Sequence, residues 1–342
     1  MSLGQVLSCN DYVIPFDAVV KAVRSVNPRR VLIHAPNGFK HLYTCLEERL
    51  RSFSIEEVYF SSSPGYGACD IPVEEAEVLK TNLVIHLGHD EYFLQESTGI
   101  PGMRIVYVPV YYQRALSTDL LESLYNTLKS LSAERVALSS TLVESLLKKQ
   151  VSEYLARKGI VLYDTDKPIL GCLYSHVVAL ESKADAHVVI AGGLFHAVGL
   201  GLVASRPVIA VDPYMNRLLM ASNEAHKVLR KRLYAVLKAR ESTGNRVGLV
   251  VGTRPGQYRP TLSSYIERLA LDKGYRVYKV ASSYLTLDRL IAMDSALNLD
   301  FYVVTSCPRL PIDDLADFHK PVLTPGEFIM LLTGSDKYLY PW

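Results

Sequence analysis

The sequence predicts an α/β protein made of three pseudo-symmetric repeats, each a small parallel four-stranded sheet flanked by helices. Three observations lead there. Short β-branched runs alternate with helical patterns, the mark of βαβ units. The runs fall into three sets of four, whose leading strands begin at Arg30, Arg135 and Arg246, roughly one hundred residues apart, a period that points to triplication rather than one very wide sheet. Each set also carries one cysteine just after a strand: Cys69, Cys172 or Cys307.

In chain order the first set is "RVLIHA", "EVYFSS", "LVIHLG" and "RIVYVPV", with the helical stretch "KHLYTCLEERLRSF" between its first two strands. The second is "RVALSS", "IVLYD", "HVVIAGG" and "PVIAVD", with "TLVESLLKKQVSEYLARKG" in the same place. The third is "RVGLVVG", "YRVYKV", "FYVVTS" and "PVLTP", with "YIERLALDKG". The long pattern "MNRLLMASNEAHKVLRKRLYAVLKARES" reads as a helix bridging the second and third repeats, its basic residues forming a solvated face. Expected boundaries are 1–115 for the repeat with Cys69, 116–216 for that with Cys172, and 217–342 for the bridging helix and the repeat with Cys307.

With 342 residues, 49% of them apolar, the chain can bury a large core, and its length suits two or three domains. The net charge of +2 comes from 37 basic and 35 acidic residues with no dense run of either sign, so neither nucleic acid nor an anionic membrane is an expected partner. "AHVVIAGGLFHAVGLGLVA" is interrupted by His187, His196 and glycines, and reads as strand, turn and helix rather than a span. The N-terminal "MSLGQVLSCNDYVIPFDAVV" lacks the pattern of a secretory leader, so a cytoplasmic location is expected.

Five scattered cysteines disfavour a disulfide framework and favour metal or redox chemistry for some of them. The carboxyl edge of an open α/β sheet is where ligands bind, because glycine-rich turns and helix N-termini open there. Three repeats around a pseudo-threefold axis would bring Cys69, Cys172 and Cys307 to one central site. Structural zinc usually takes four ligands in tight CxxC pairs, which are missing here. Three distant thiolates suit a [4Fe-4S] cluster with one iron left open for substrate, one possibility that spacing alone leaves beside others.

The segments "GYGACDIP", "LVIHLGHDEYFL", "GGLFHAVGLGLVASRPVIAVDPY", "GLVVGTRPGQYRP" and "VVTSCPRLPIDD" with "PVLTPGEF" resemble, in order, the archaeal diphthamide-biosynthesis enzymes, the 2-(3-amino-3-carboxypropyl)histidine synthases. The resemblance runs from about residue 30 to residue 330, and the combination of "YGACD", HxGH and "SCPRLPID" is specific. It implies Cys69, Cys172 and Cys307 as cluster ligands and S-adenosyl-L-methionine as co-substrate at the open iron. It implies non-classical radical chemistry: an electron enters the sulfonium and the bond from sulfur to the methionine γ-carbon breaks, releasing methylthioadenosine. The 3-amino-3-carboxypropyl group then passes to C2 of a histidine in translation elongation factor 2. An electron donor of unspecified identity and a homodimer are also implied.

Beside the cysteines, His86, Gly88 and His89 end the third strand of the first set, where amides and an imidazole would touch the cofactor or the histidines would simply be structural. Gly192, Gly193 and His196 hold the equivalent place in the second set, where a tight turn is the competing reading. Gly252, Thr253, Arg254 and Gln257 follow the first strand of the third set, suited to holding a methionine carboxylate, with Gly252 and Gln257 favoured over Arg254. Arg309 either steadies a cluster or pairs with Asp313, and Cys9 and Cys45 are expected to be unligated. Ser61, Ser62 and Ser63 stand where the family usually has an aspartate, and Asp90 where a serine is common. Two alternatives stay open: a quinolinate synthase-like cluster enzyme, whose motifs are not seen, and a non-catalytic cluster-binding scaffold.

Overall fold

The computed structural model describes residues 5–91, 102–165 and 167–342. Two compact bodies make up the chain. The first comprises residues 1–116, 140–151 and 254–256, and the second 117–139, 152–253 and 257–342.

The first body begins with β1 (Val6–Cys9) and β2 (Tyr12–Pro15), an antiparallel hairpin closed by Asn10 and Asp11. Its main sheet follows: β3 (Arg30–His34), β4 (Glu57–Phe60), β5 (Leu83–Leu87) and β6 (Arg104–Val108), all parallel in the order β4-β3-β5-β6. β7 (Tyr111–Tyr112) then pairs with β2. Every residue of β5 is buried, as a central parallel strand covered on both faces must be. Successive side chains take opposite faces: Val31 and Ile33 join the core under the helix Asp17–Val26, while Leu32 joins Ile71 and Ala76 on the other side. That helix buries Val19, Val20 and Val23, each contributing roughly 1.5–3 kcal/mol.

The second body holds two further sheets. β8 (Arg135–Ser140), β9 (Val161–Asp164), β10 (Ala186–Ile190) and β11 (Val208–Asp212) run parallel, and β12 (Arg217–Met220) adds an antiparallel edge, giving the order β12-β11-β10-β8-β9. β13 (Arg246–Gly252), β14 (Arg276–Ser282), β15 (Phe301–Val304) and β16 (Val322–Leu323) form a parallel sheet in the order β14-β13-β15-β16. Each run expected from the sequence is a strand, and the parallel strands of all three sheets share one order: second, first, third, fourth.

Three expectations need correction. The second sheet has five strands rather than four, because Asp212 Oδ1 accepts from the amides of Tyr214 and Met215 and Asn216 adopts φ 45°, turning "RLLM" back as an edge strand before the helix Ala221–Arg240 begins. That helix is not wholly solvated on its basic face. Arg232 is buried, with a two-pronged contact to Glu327 at 2.8 and 2.5 Å and bonds to the carbonyls of Pro311 and Val322. The helix serves two cores, Ala221 and Ala225 packing with the second sheet and Val236 and Ala239 with the third. Arg232→Met leaves Glu327 buried without its counter-charge, so a loss of about 3–5 kcal/mol is expected in denaturant unfolding.

The third correction concerns Cys9 and Cys45, which form a disulfide from β1 to the helix Tyr43–Leu50. The two sulfurs are 36 residues apart in sequence, and the spacing gave no hint of the pairing because the hairpin that carries Cys9 to that helix was not anticipated. Cys9→Ser is expected to lower unfolding stability by about 2–4 kcal/mol under oxidising conditions and by much less with a thiol reductant present. Among the described residues no helix is long and apolar enough to cross a membrane.

Candidate functional site

Cys69 lies in the loop of residues 61–72 that follows β4. The loop is tied down along its length. Lys40 Nζ donates to the carbonyls of Ser62 (2.7 Å) and Ser63 (2.9 Å), and Tyr43 donates to that of Ser61. Their side chains take part as well, Ser61 Oγ accepting from the Ser63 amide at 3.2 Å and Ser63 Oγ donating to Glu75.

The turn Arg254–Gly256 belongs to the same body and packs on this loop. Gly256 lies so close that a Cβ there would stand 2.4 Å from Cys69 Cα. Arg254 is buried, donating to Glu74 at 2.6 Å and lying 3.5 Å from Asp70. Burial, outweighing the attraction of that guanidinium, pushes the Asp70 carboxyl up to about 7. Arg254 thus holds the residues flanking Cys69.

Below this loop three imidazoles form a chain. His34 Nε2 is 3.2 Å from the Pro64 carbonyl, His34 Nδ1 is 2.9 Å from His86 Nδ1, and His86 Nε2 is 2.9 Å from His89 Nδ1. His34 and His86 are fully buried, and desolvation lowers both, His34 to about 4. Tyr107 packs its edge on His86, and its hydroxyl is pushed up to about 12, mainly by burial, with Glu91 and Cys69 adding to it. Gly88 takes φ +91° against Phe39, a conformation that favours glycine, and donates its amide to Val108. Asp90 is exposed. Tyr92, Phe93 and Leu94 of the motif lie outside the described residues.

In the second body Cys172 follows β9 and Cys307 follows β15, and both act on the same two phenols, Tyr174 and Tyr340. Burial first, and nearby charges second, push both hydroxyls upward, so each stays a neutral donor beside the thiols. Gly171 leaves room for Phe195, whose ring would lie 2.2 Å from a Cβ there. Phe195 carries the Arg309 guanidinium over its face at 5.3 Å, while Arg309 also reaches Asp313 (3.4 Å) and Asp314 (3.7 Å), so the pairing with Asp313 has its partner in place.

His196 has its Nδ1 buried without a hydrogen-bond partner, and burial, with Arg309 adding to it, lowers its imidazole to about 4. Gly192 and Gly193 are exposed in the turn before it, Gly193 at φ +72°. Gly252 is placed by packing: a Cβ there would stand 2.6 Å from Ser306 Cβ, just before Cys307, and 2.9 Å from the Gln257 carbonyl. Gln257 is buried and its Nε2 lacks a partner, which suits a ligand carboxylate. Thr253 is exposed and donates its amide to Ser282.

Sequence reading missed two supports. His34 completes the imidazole chain, though "RVLIH" reads as an ordinary strand. The C-terminal segment binds the Cys172 loop, Tyr340 donating to the Gly171 carbonyl and Trp342 Nε1 to that of Cys172, both at 3.3 Å, with Arg259 stacked over Trp342 at 4.1 Å.

Among the described residues no three His, Cys, Asp or Glu side chains are arranged to hold a single metal ion. A cubane makes a different demand, since each thiolate binds its own iron. Cys69 in the first body and Cys172 and Cys307 in the second lie outside any disulfide and are partly accessible, and in the second body the buried Gln257 amide is suited to an anionic group.

The model of the family described as diphthamide synthesis protein matches residues 35–341. The chain is 26% identical to the 2-(3-amino-3-carboxypropyl)histidine synthase of Pyrococcus horikoshii over 95% of this chain and 92% of the relative. It is 23% identical to the enzyme of that name from Methanocaldococcus jannaschii, over 95% and 91%. The crystal structure of Dph2 from Pyrococcus horikoshii with a 4Fe-4S cluster superposes with a TM-score of 0.79 at 25% identity, covering 98% of this chain and 94% of that one.

Proposed function

The chain belongs to the family of diphthamide synthesis proteins, and on that premise we propose that it is the transferase of the first diphthamide step. It moves the 3-amino-3-carboxypropyl group of S-adenosyl-L-methionine to C2 of a histidine in translation elongation factor 2. The observation that carries this reading is the placing of three cysteines, none in a disulfide, after strands of three sheets with one strand order, in a chain similar to a cluster-bearing enzyme.

Cys69, Cys172 and Cys307 would hold the [4Fe-4S] cluster. When bound, it supplies the electron that opens the sulfonium at the γ-carbon. The protein's own task is then binding and orientation. Tyr174 and Tyr340 present neutral hydroxyls beside Cys172 and Cys307, keeping charge low around the sulfurs. The Gln257 amide, which lacks a partner, is assigned to the carboxylate of the methionine moiety, and Gly192, Gly193 and His196 to the rest of the co-substrate. Arg254 and Gly256 keep the Cys69 loop in place. A reductant of low potential, a cytoplasmic setting and a homodimer complete the proposal.

The test is anaerobic reconstitution with iron, sulfide, dithionite, S-adenosyl-L-methionine and an archaeal elongation factor 2, followed by peptide mass analysis. A gain of one 3-amino-3-carboxypropyl group on a single histidine supports the reading. An unmodified factor with quinolinate formed from iminoaspartate and dihydroxyacetone phosphate would establish the rival enzyme. Failure of both reactions in cluster-loaded protein would leave a scaffold.

A further inference from the structure

The loop that carries Cys172 is a tight turn. The Leu173 amide donates to the Leu170 carbonyl at 3.1 Å and the two residues bridge, which makes Gly171 and Cys172 the central residues. Their own carbonyls take no part in that bond. They are held from 169 and 170 positions away in the sequence, Tyr340 donating to the Gly171 carbonyl and Trp342 Nε1 to that of Cys172. A peptide unit is planar, so these two bonds orient the planes on either side of the Cys172 Cα and leave the side chain its χ1 rotation. Gly171, with no Cβ, restrains the turn little by itself. Cys307 differs, its carbonyl accepting from the Leu310 amide three residues on, a local bond.

Residues 338–342 are themselves anchored elsewhere in the second body. The Tyr338 hydroxyl donates to Glu327 Oε1 at 2.7 Å and the Leu339 amide to Met330 Sδ at 3.2 Å, both on the helix Pro325–Thr333. Leu339 lies so close to that helix that a Cβ on Gly326 would stand 2.4 Å from its carbonyl oxygen. From this anchor the rings of Tyr338 and Tyr340 stack at 6.3 Å, Tyr340 packs on the buried Tyr174 at 6.1 Å, and Arg259 covers Trp342 at 4.1 Å. Cys172 and Cys307 both act on the Tyr340 hydroxyl, which places the segment near both.

We propose that residues 338–342 are a strap that sets the direction of the Cys172 sulfur, with Tyr340 and Trp342 as positioning residues and Tyr338 and Leu339 as the anchor. The proposal rests on the reading of Cys172 as a cluster ligand. A turn that samples several orientations has to be ordered before its sulfur can bind, and that entropy is lost again at every rebinding, so iron held through a loose turn leaves sooner. The strap orders the turn in advance. Cys69 sits in the first body in a loop with its own ties, so the strap acts on one ligand and not on all three.

Two measurements on the full chain test this. The first is the rate at which iodoacetamide alkylates each cysteine of cluster-free protein, resolved by peptide mass analysis. Cys172 is expected to react about five-fold faster in Trp342→Phe, which keeps a ring under Arg259 and loses one N–H donor, the effect of one hydrogen bond. Gly326→Ala, which displaces Leu339 at the anchor, should do the same, while Cys69 keeps its native rate in both. The second is the rate at which a chelator strips iron from cluster-loaded protein, expected to rise about five-fold in each variant and further in Tyr340→Phe/Trp342→Phe. Lys337→Ala, exposed just before the strap, should be native in both assays. Unchanged Cys172 alkylation in Trp342→Phe and Gly326→Ala overturns the proposal. So does an equal rise at Cys69, which would mean general loosening, or native iron loss despite faster alkylation. If the native chain takes up no cluster, the ligand reading falls, while alkylation of the cluster-free chain still decides whether the strap holds the turn.

Discussion

Anaerobically purified protein in which Cys172 or Cys307 is alanine is expected to lose most of its iron and all measurable transfer. Two thiolates hold a cubane poorly, and each remaining iron site would have to recruit water or an exogenous thiol. Cys69→Ala should behave the same way. Cys9→Ala and Cys45→Ala make the contrast, since these two sulfurs are bonded to each other and should keep a full complement of iron. Iron and acid-labile sulfide per chain, read with the broad visible absorption, check this. Equal loss in all five variants, or full iron in Cys172→Ala, would refute the assignment of ligands.

The second large effect is expected at Gly256. A valine there must push against the backbone of Cys69, because even its first carbon would lie 2.4 Å from the Cys69 Cα and 2.9 Å from its carbonyl. Neither atom is the end of a flexible side chain, so the loop itself has to move. Overpacking of this kind costs about 1–3 kcal/mol, and here the displaced atoms carry a proposed ligand. Gly256→Val should therefore lose iron nearly as completely as Cys69→Ala while far-ultraviolet dichroism stays native. Gly38→Ala, with open space around its added carbon, is the control. Full iron in Gly256→Val would show that the turn does not set the position of Cys69.

The parallel strands were legible because alternating β-branched runs with intervening helical periodicity have few other outcomes. The unexpected antiparallel pieces depend on single turns. Asn10 and Asp11 between "VLSC" and "YVIP" were a hairpin signal that could have been used, Asn10 taking φ 52°. The Asp212 turn before "RLLM" was hidden by a run that also fits helical spacing. The disulfide follows from that hairpin, so missing one meant missing the other.

At the site, the three cysteines stood out by their place after strands, whereas their supports are long-range. Nothing local in "RVLIH" says that His34 will meet His86 across β3 and β5, although the paired register puts the two side by side. Arg254 looked like a candidate for a ligand carboxylate, yet its guanidinium reaches Glu74 and Asp70, acids far upstream in the chain. Trp342 lies beyond the recognisable motifs and still holds the Cys172 carbonyl.

The nucleoside left behind tests the central claim most directly. Reduced, cluster-loaded protein given S-adenosyl-L-methionine and elongation factor 2 is expected to release methylthioadenosine, because orientation of the sulfonium selects which carbon–sulfur bond opens. Chromatography of the quenched reaction separates it from 5′-deoxyadenosine. Methylthioadenosine in step with the mass gained by the factor is the predicted result, and 5′-deoxyadenosine as the dominant nucleoside would contradict the account.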